Sequence, residues 1–299
     1  MTDLATLNAR FAIPEQLTFR EGPGGLPVAE VTNDQAIATI ALQGAHLLTW
    51  TPSGVAPVIW LSSQAKFAPG KSVRGGVPIC WPWFGAHVSE SAFPAHGFAR
   101  SVMWEVISSH APSADETHIA FRLLTTEAAR AQWPHATPVE CHMSIGKTLE
   151  IELITRNEDT APVTIGQALH TYFEIADIED IDIDGLDDCD YLDKVDNFAR
   201  KRQHDAVTFD GEVDRVYLNS VDDCIINDHG HQRQIVISKR GSASTVVWNP
   251  WQDKATKMGD LGDDGYRQMV CVESANAADD VVTIAPGQSH SLWVQYRVE

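Results

Sequence analysis

The segment TLEIELITR (148–156) alternates apolar and charged side chains residue by residue. Leu149, Ile151 and Leu153 would point to one face of an extended chain, and the two glutamates between them to the other. Because successive side chains of a β-strand lie on opposite faces, a period of two is typical of a half-buried strand. The segment therefore predicts a strand that covers a core with one face and meets solvent with the other.

Similar short segments follow one another along most of the chain, separated by Gly, Pro, Asn and Asp. The other predicted strands are VAEVTN (28–33), AIATIAL (36–42), GAHLLTW (44–50), HIAFRLL (118–124), PVTIGQALHTYFEI (162–175), DAVTFDG (205–211), RQIVISKRG (233–241), STVVWNP (244–250), QMVCVES (268–274) and SLWVQYRV (291–298). Many strands with scarcely a crossover helix predict an all-β protein, a large antiparallel β-sandwich with a few short helices.

Helix signals are few. Asp3 is a candidate N-cap for a helix that runs to about Arg10, and Thr126 is a candidate N-cap within TTEAARAQW (125–133). No linker or internal repeat divides the chain. We therefore expect residues 1–299 to form a single domain, with residues 1–30 as an N-terminal extension.

Composition restricts the partners of the protein. The 299 residues carry a net charge of −19, which disfavours nucleic acid and anionic membrane surfaces because both need a basic face. A small anion is still allowed, since it responds to the local field of a few arginines. Five scattered cysteines without CxxC spacing are typical of reduced thiols. From the sequence we expect neither a signal peptide nor a membrane-spanning segment. We expect a cytoplasmic protein.

Several motif-like segments do not have the context that their chemistry requires. AKFAPGKS (65–72) is similar to a phosphate loop, but the sequence that follows is rich in Pro and Gly and cannot form the necessary helix. DIDIDG (180–185) begins like a calcium loop, but Tyr191 replaces the bidentate Glu. His229 and His231 form an isolated HxH in a turn, for which no carboxylate partner is evident. We predict no metal site.

The segment GKSVRGGVPICWPWFGAHVSESAFPAHGFAR (70–100) combines arginines, tryptophans, prolines and glycines without helical period. Structureless connections within a compact domain are normally short, so a segment of this length and composition is a candidate pocket wall. Aromatic faces would cover a sugar ring, and Arg74 and Arg100 would bind a phosphate. In the alternative interpretation the tryptophans fill the core and the arginines form surface ion pairs.

Two polar residues occur where the strand patterns predict burial. His170 shares a strand face with Gly166 and Ala168, whose small size would leave a hollow for a ligand. Glu273 shares a face with Met269 and Cys271, so partial desolvation should raise its pKa toward the range of a general base. Each residue also has an ordinary structural interpretation, as a core histidine bonded to backbone or a glutamate emerging from the sheet.

Five motifs together resemble one family, the D-hexose-6-phosphate mutarotases, or glucose-6-phosphate 1-epimerases, of the galactose mutarotase-like (aldose 1-epimerase) superfamily. They are RGGVPICWPWFG (74–85), PAHGFAR (94–100), LHTYF (169–173), EVDRVY (212–217) and VCVES (270–274). The resemblance runs from about residue 36 to the C-terminus. It implies a β-supersandwich, usually monomeric, that works without metal or organic cofactor and binds a small sugar phosphate.

The resemblance also implies roles for individual residues. His170 corresponds to the general acid and Glu273 to the general base of anomer interconversion. Arg74 and Arg100 correspond to the pair that binds phosphate. His96 and Asp214 resemble residues that hydrogen-bond the sugar hydroxyls or ring end, while the acidic segment at 180–193 has no assigned role.

These features give three functional hypotheses. The first is a cofactor-independent enzyme that interconverts the α and β anomers of a hexose 6-phosphate, with glucose 6-phosphate as the expected substrate. In this scheme the carboxylate of Glu273 and the imidazolium of His170 each stabilise the other's charge. The alternatives are a mutarotase for unphosphorylated aldoses and a non-catalytic sugar-phosphate-binding protein.

Overall fold

Three α-helices and twenty-two β-strands carry the fold in the computed structural model, which describes residues 3–299. The helices are α1 (Leu4–Phe11), α2 (Glu127–Gln132) and α3 (Trp251–Met258). The strands are β1 (Leu17–Glu21), β2 (Pro27–Thr32), β3 (Ala36–Ala41), β4 (His46–Pro52), β5 (Ile79–Cys80), β6 (Trp104–Ser113), β7 (Glu116–Leu123), β8 (Val139–Ile145), β9 (Leu149–Arg156), β10 (Val163–Ile165), β11 (Gln167–Leu169), β12 (Tyr172–Glu174), β13 (Ile181–Asp184), β14 (Asp190–Asp193), β15 (Ala199–Arg202), β16 (Val213–Leu218), β17 (Cys224–Asp228), β18 (Arg233–Arg240), β19 (Ser244–Asn249), β20 (Met269–Asn276), β21 (Val282–Ile284) and β22 (Ser289–Val298).

Two eight-stranded antiparallel sheets form the sandwich. The first sheet has the order β15-β14-β16-β19-β20-β11-β5, and β12 also pairs with β20. The second sheet has the order β13-β17-β18-β22-β9-β8-β7-β6. A four-stranded sheet, β1-β2-β3-β4, and the pair β10-β21 complete the architecture. The predicted all-β antiparallel sandwich is confirmed.

The core lies between the two large sheets. Phe173 on β12 packs edge-on against Tyr296 on β22, with ring centroids 5.0 Å apart, and the Thr171 hydroxyl lies 2.6 Å from the Tyr296 hydroxyl. Buried side chains from all four sheets belong to one continuous hydrophobic cluster. That continuity supports the expectation of one domain, which stays a prediction.

Strand β9 has the pattern that the sequence predicted. Leu149, Ile151 and Leu153 are fully buried, whereas the intervening glutamates are partly exposed. Alternation of this kind is the direct result of one face of the strand packing on the core. The prediction for this segment is confirmed.

Both predicted helices form, with the predicted caps. The Asp3 carboxylate accepts hydrogen bonds from the backbone N–H groups of Ala5 and Thr6, and the Thr126 hydroxyl accepts one from Ala129. Helix α3 was not predicted, since STVVWNP runs into it without a capping side chain. Within residues 3–299 no helix is long and apolar enough to cross a membrane.

Two strand predictions were wrong in detail. PVTIGQALHTYFEI is three short strands, because Gly166 and His170 donate their N–H groups to the carbonyls of Pro82 and Pro78 instead of a neighbouring strand. DAVTFDG is not a strand. Val207 and Phe209 are buried, but only Val207 makes a bridge, and Asp205 begins the segment in the left-handed region at φ 59°.

Trp81 anchors the 70–100 segment to the core. Its indole N–H donates to the Thr155 hydroxyl at 3.1 Å, and its carbonyl accepts from the N–H groups of Phe98 and Ala99. This close approach requires Gly97, at φ 70°, because a Cβ there would overlap the Trp81 carbonyl. The two ends of the segment, which carry Arg74 and Arg100, are thereby fixed relative to each other.

The contact at Gly97 predicts a large loss of stability in Gly97→Ala, with Gly70→Ala as the matched control. Both glycines have positive φ, 70° and 74°, so each alanine costs about 1–2 kcal/mol in backbone strain. A Cβ at Gly70 meets nothing within 4 Å, whereas one at Gly97 meets backbone. In urea unfolding we expect Gly97→Ala to lose at least about 2 kcal/mol more than Gly70→Ala. Equal losses would contradict the packing described.

Candidate active site

A cavity of about 330 Å³ opens at one face of the first eight-stranded sheet. All six residues that the sequence singled out line it: Arg74, His96, Arg100, His170, Asp214 and Glu273. They come from β16, β20, the β11–β12 connection and the 70–100 segment, so distant parts of the chain meet at one place. The structure thus brings together every predicted site residue, and their roles remain proposals.

Glu273 lies on β20, in the interior of the first eight-stranded sheet, where every residue of the strand is buried. Its side chain is 2% exposed, and Oε2 has no hydrogen-bond partner among the described residues. Burial raises the pKa of the Glu273 carboxyl well above its usual value, and the nearby ammonium of Lys194 opposes that rise. The desolvation is more complete than the partial burial that the strand pattern predicted.

His170 lies in the break between β11 and β12, where its N–H donates to the Pro78 carbonyl. Its ring stacks on Tyr172 at 5.0 Å with an interplanar angle of 13°, and Nε2 lies 3.3 Å from Glu273 Oε1. Burial is the largest cause that lowers the pKa of His170 well below its usual value, and the positive charge of Arg100 adds to it. Nδ1 has no partner among the described residues.

The two pKa shifts change the expected resting state of the pair. Desolvation favours a neutral imidazole on His170 and a protonated carboxyl on Glu273, rather than the two charged forms that the sequence interpretation assumed. Both descriptions place one proton on the pair. The contact at 3.3 Å therefore supplies one proton donor and one acceptor in either arrangement.

The hollow predicted beside His170 is not an open space. A Cβ at Gly166 would lie 3.1 Å from the backbone nitrogen of Phe84, so the small residue accommodates the 70–100 segment and not a ligand. The cavity at His170 is lined also by Trp248 and Asp214. The prediction of a cavity at His170 is confirmed, and its stated cause was wrong.

Arg74 is held by two side chains. Its Nε and Nη2 donate to Asp260 at 3.0 and 3.4 Å, and Nη1 donates to the Tyr172 hydroxyl at 2.9 Å. The following glycines allow close backbone contact, since a Cβ at Gly75 would lie 2.7 Å from the Leu61 Cα. This support fixes the guanidinium in the cavity wall and leaves part of its N–H groups free for a ligand.

Arg100 lies at the far end of the same segment. Its Nη2 donates to the Ala95 carbonyl at 2.9 Å, and no carboxylate of residues 3–299 lies within ion-pair distance of it. His96 beside it adopts φ 67°, and its Nδ1 accepts from the N–H of Gly85 at 3.3 Å. Burial, with the charge of Arg100, lowers the pKa of His96 to about 3, so this ring is neutral at physiological pH.

The sequence did not single out two lysines that line the cavity. Lys194 Nζ lies 2.8 Å from Asp214 Oδ1, and Lys254 Nζ lies 2.6 Å from Glu212 Oε1. Lys194 is the one basic residue in the acidic run at 178–196, and this isolated position is the sequence feature that could have identified it. With Arg74 and Arg100 these lysines give the cavity four cations in a protein of net charge −19.

One group of side chains near the acid–base pair has donor atoms suited to a metal. The ligand atoms of His170, Cys271 and Glu273 lie within 4.8 Å of one another. Burial raises the pKa of the Cys271 thiol well above its usual value, and a metal ligand must be a thiolate. The neighbouring cations of the cavity also oppose a metal ion. A metal-free site therefore stays our prediction.

A larger cavity of about 600 Å³ is lined by Trp60, the end of α3 and residues of the 259–268 segment. Its lining includes Glu174, Asp263 and Asp264, and none of the described residues that line it is basic. It contains none of the six predicted site residues. An anionic substrate would be repelled there, so the smaller cavity is the candidate active site.

The remaining motif interpretations have mixed outcomes. No helix follows residues 65–72, as predicted. The isolated histidines do have carboxylate partners, contrary to the sequence interpretation: His229 Nε2 lies 2.8 Å from Asp182, and His231 Nδ1 lies 2.8 Å from Asp228. The first contact joins the surface turn to β13, 47 residues earlier in the chain, whereas Asp228 lies only three residues from His231, at the end of β17.

Comparison with known proteins agrees with this geometry. Residues 27–297 match the aldose 1-epimerase family. The chain is 41% identical over 275 residues to a protein of Escherichia coli provisionally named glucose-6-phosphate 1-epimerase, covering 90% of this chain and 91% of the relative. A relative of the same provisional name from Cenchrus ciliaris is 36% identical over 260 residues, covering 84% of this chain and 78% of the relative.

A solved structure is similar over nearly the whole chain. The crystal structure of YeaD from Salmonella typhimurium, provisionally named a mutarotase, superposes with a TM-score of 0.90 at 34% identity. The match covers 98% of each chain. From the family match and these identities, the chain belongs to the aldose 1-epimerase family.

Proposed function

We propose that this protein interconverts the α and β anomers of a hexose 6-phosphate, glucose 6-phosphate foremost, without metal or organic cofactor. The observation that carries the proposal is the contact of His170 and Glu273, 3.3 Å apart, inside a cavity lined by four cations. The names of the relatives support the same reaction. Acid–base chemistry and anion binding are both available in one place.

Anomer exchange needs two proton transfers at adjacent atoms. The C1 hydroxyl must lose a proton while the ring oxygen gains one, which opens the ring. Rotation about the C1–C2 bond then lets the ring close on the other face of C1. Glu273 as carboxylate accepts the first proton, and His170 as imidazolium donates the second. On closure the two residues exchange roles. Each well-placed transfer contributes about 10²- to 10⁴-fold in rate.

The phosphate contributes to placing the proton on His170. The positive charges of Arg100 and Arg74 are among the causes that lower the pKa of His170. A phosphate dianion bound by these arginines offsets their charge, so imidazolium becomes less costly in the complex than in the free protein. Binding of the correct substrate thereby favours the charged arrangement that ring opening uses.

The two arginines differ in how they meet the phosphate. Arg74 is oriented by Asp260 and Tyr172 and offers its remaining N–H groups, whereas Arg100 has its full charge available. A guanidinium fork fits phosphate oxygens better than an ammonium does. His96 and Asp214 complete the cavity as hydroxyl partners in this proposal. A monomeric state and a cytoplasmic location stay predictions.

Removing either member of the acid–base pair should abolish catalysed exchange. We expect His170→Asn and Glu273→Gln each to lower the rate of anomer exchange of glucose 6-phosphate by at least about 10²-fold. Two-dimensional NMR exchange spectroscopy measures this rate, and circular dichroism checks the fold. The matched control is His110→Asn, an exposed histidine on β6, which should exchange at the wild-type rate.

Three outcomes would contradict parts of the proposal. Near-normal exchange in either variant refutes the assigned roles. Faster exchange of glucose than of glucose 6-phosphate by the wild type would indicate a mutarotase for unphosphorylated aldoses. Saturable binding of glucose 6-phosphate with no rate enhancement would establish a non-catalytic binding protein.

Glu273→Gln should also make the protein more stable, increasingly so as pH rises. Burial raises the folded-state pKa of Glu273 above its unfolded value, so the wild type loses stability as pH rises through the folded pKa. Glutamine has no such titration. We expect the Tm of Glu273→Gln to exceed that of the wild type by at least about 2 °C at about pH 8.5, and by less at about pH 6.

Glu90→Gln is the matched control for this measurement, because it removes the same charge at an exposed loop position. Its Tm difference from the wild type should not grow between the two pH values. A Glu273→Gln variant that is destabilised at the higher pH would show that the ionised carboxylate stabilises the fold.

A further inference from the structure

Lys194 is the link between the acidic segment and the candidate active site. Strand β14 ends at Asp193, and the next residue, Lys194, lines the cavity with His170 and Glu273. Its backbone N–H donates to the Asp214 carbonyl at 2.9 Å, which continues the pairing of β14 with β16. The acidic segment therefore delivers its one lysine to a defined position in the cavity wall.

The ammonium of Lys194 is already neutralised in the cavity. Nζ lies 2.8 Å from Asp214 Oδ1, and the two side chains are 27% and 12% exposed. Asp214 Oδ1 nevertheless has no hydrogen bond in the described chain, so the contact is an ion pair whose angles leave hydrogen-bonding capacity unused. A carboxylate only accepts and an ammonium only donates, whereas each sugar hydroxyl does both. The pair can therefore donate a hydrogen bond to one sugar hydroxyl and accept one from its neighbour.

The sheet register places this pair across the cavity from the reacting end of the sugar. Asp214 on β16 lies opposite Trp248 on β19, and Trp248 lies opposite Cys271 on β20. At about 4.8 Å between strands, Asp214 is roughly 10 Å from β20, on the same face as Glu273. Trp248 forms the floor between them. A pyranose whose C1 is at Glu273 would cover Trp248 and direct its opposite hydroxyls to the pair.

We propose that Lys194 is a substrate-contacting, specificity-determining residue: its ammonium and the Asp214 carboxylate together hydrogen-bond adjacent ring hydroxyls and so select among hexose epimers. The inference rests on the proposed function. Inverting one hydroxyl leaves a buried donor or acceptor unpaired, and sites of this kind reject such analogues strongly. The pair therefore recognises the configuration of the sugar hydroxyls, whereas Arg74 and Arg100 bind the phosphate.

The test compares Lys194→Met with Lys201→Met. Lys201, on the neighbouring strand β15, pairs with Asp193 and Asp196 at 2.7 and 2.8 Å but does not line the cavity. The two variants change net charge equally. The kcat/KM for anomer exchange is measured with glucose, galactose and mannose 6-phosphates, and with the unphosphorylated form of the best substrate.

Lys194→Met should lower kcat/KM for the best hexose 6-phosphate about 10- to 100-fold and reduce the preference over the other epimers. The loss should be the same factor for the unphosphorylated sugar. Lys201→Met should match the wild type. Equal behaviour of the two variants, or a loss confined to phosphorylated sugars, overturns the proposal. Lys194→Gln replaces Lys194→Met if thermal unfolding shows that the latter does not fold.

Failure of the proposed function would be visible separately. A wild type without any exchange activity refutes the reaction, and titration calorimetry with the same sugars then decides the contact. Weaker sugar binding by Lys194→Met than by Lys201→Met would still support contact between Lys194 and the sugar, and equal binding would refute that contact.

Discussion

A desolvated contact between an imidazole and a carboxyl group, His170 Nε2 and Glu273 Oε1 at 3.3 Å, is the constraint that the other features of the cavity serve. In water each group would take the charge that the pH dictates. Inside the sheet, burial opposes both charges, and the pair keeps one proton over a wide range of pH. Acid–base chemistry at neutral pH follows from that shared proton.

Such a site destabilises the fold locally. Glu273 Oε2 and His170 Nδ1 are buried without partners in the described chain, which costs free energy in any folded state. Packing between the sheets offsets this cost, as at Phe173 and Tyr296, where the core continues directly behind the connection that carries His170. The stability of the sandwich permits an active site that would not hold on a smaller core.

The cavity wall that carries Arg74 and Arg100 depends on close backbone approaches of glycine. Gly75, Gly76 and Gly97 each lie where a Cβ would meet neighbouring backbone or the ring of His46. These contacts let a segment with little regular structure keep a fixed shape. Rigidity of this kind is what orients Arg74 without a strand or helix to carry it.

Local patterns predicted the features that local physics determines. Alternation identified β9 and its buried face, and polar residues within apolar runs identified His170 and Glu273. Contacts between distant segments left no such trace: Asp260, which holds Arg74, is 186 residues away from it. Lys194 lies at the end of an acidic segment to which the sequence assigned no role.

The errors have the same origin. DAVTFDG has buried apolar residues at alternate positions, but a hydrophobic period does not specify whether a neighbouring strand supplies the hydrogen bonds. Gly166 was interpreted as empty space beside His170, because sequence does not show that the backbone at Phe84 fills it. The structure of the 205–211 segment and the space beside Gly166 are both determined by tertiary contacts.

The central claim is that the buried pair holds one proton and that His170 is neutral in the free protein. The ¹⁵N chemical shifts of the His170 imidazole, assigned with the His170→Asn variant, test it most directly at about pH 6, where an ordinary histidine is mostly charged. The account predicts a neutral imidazole in the free protein, with a shift toward imidazolium when 1,5-anhydroglucitol 6-phosphate binds. An imidazolium already present in the free protein would contradict it.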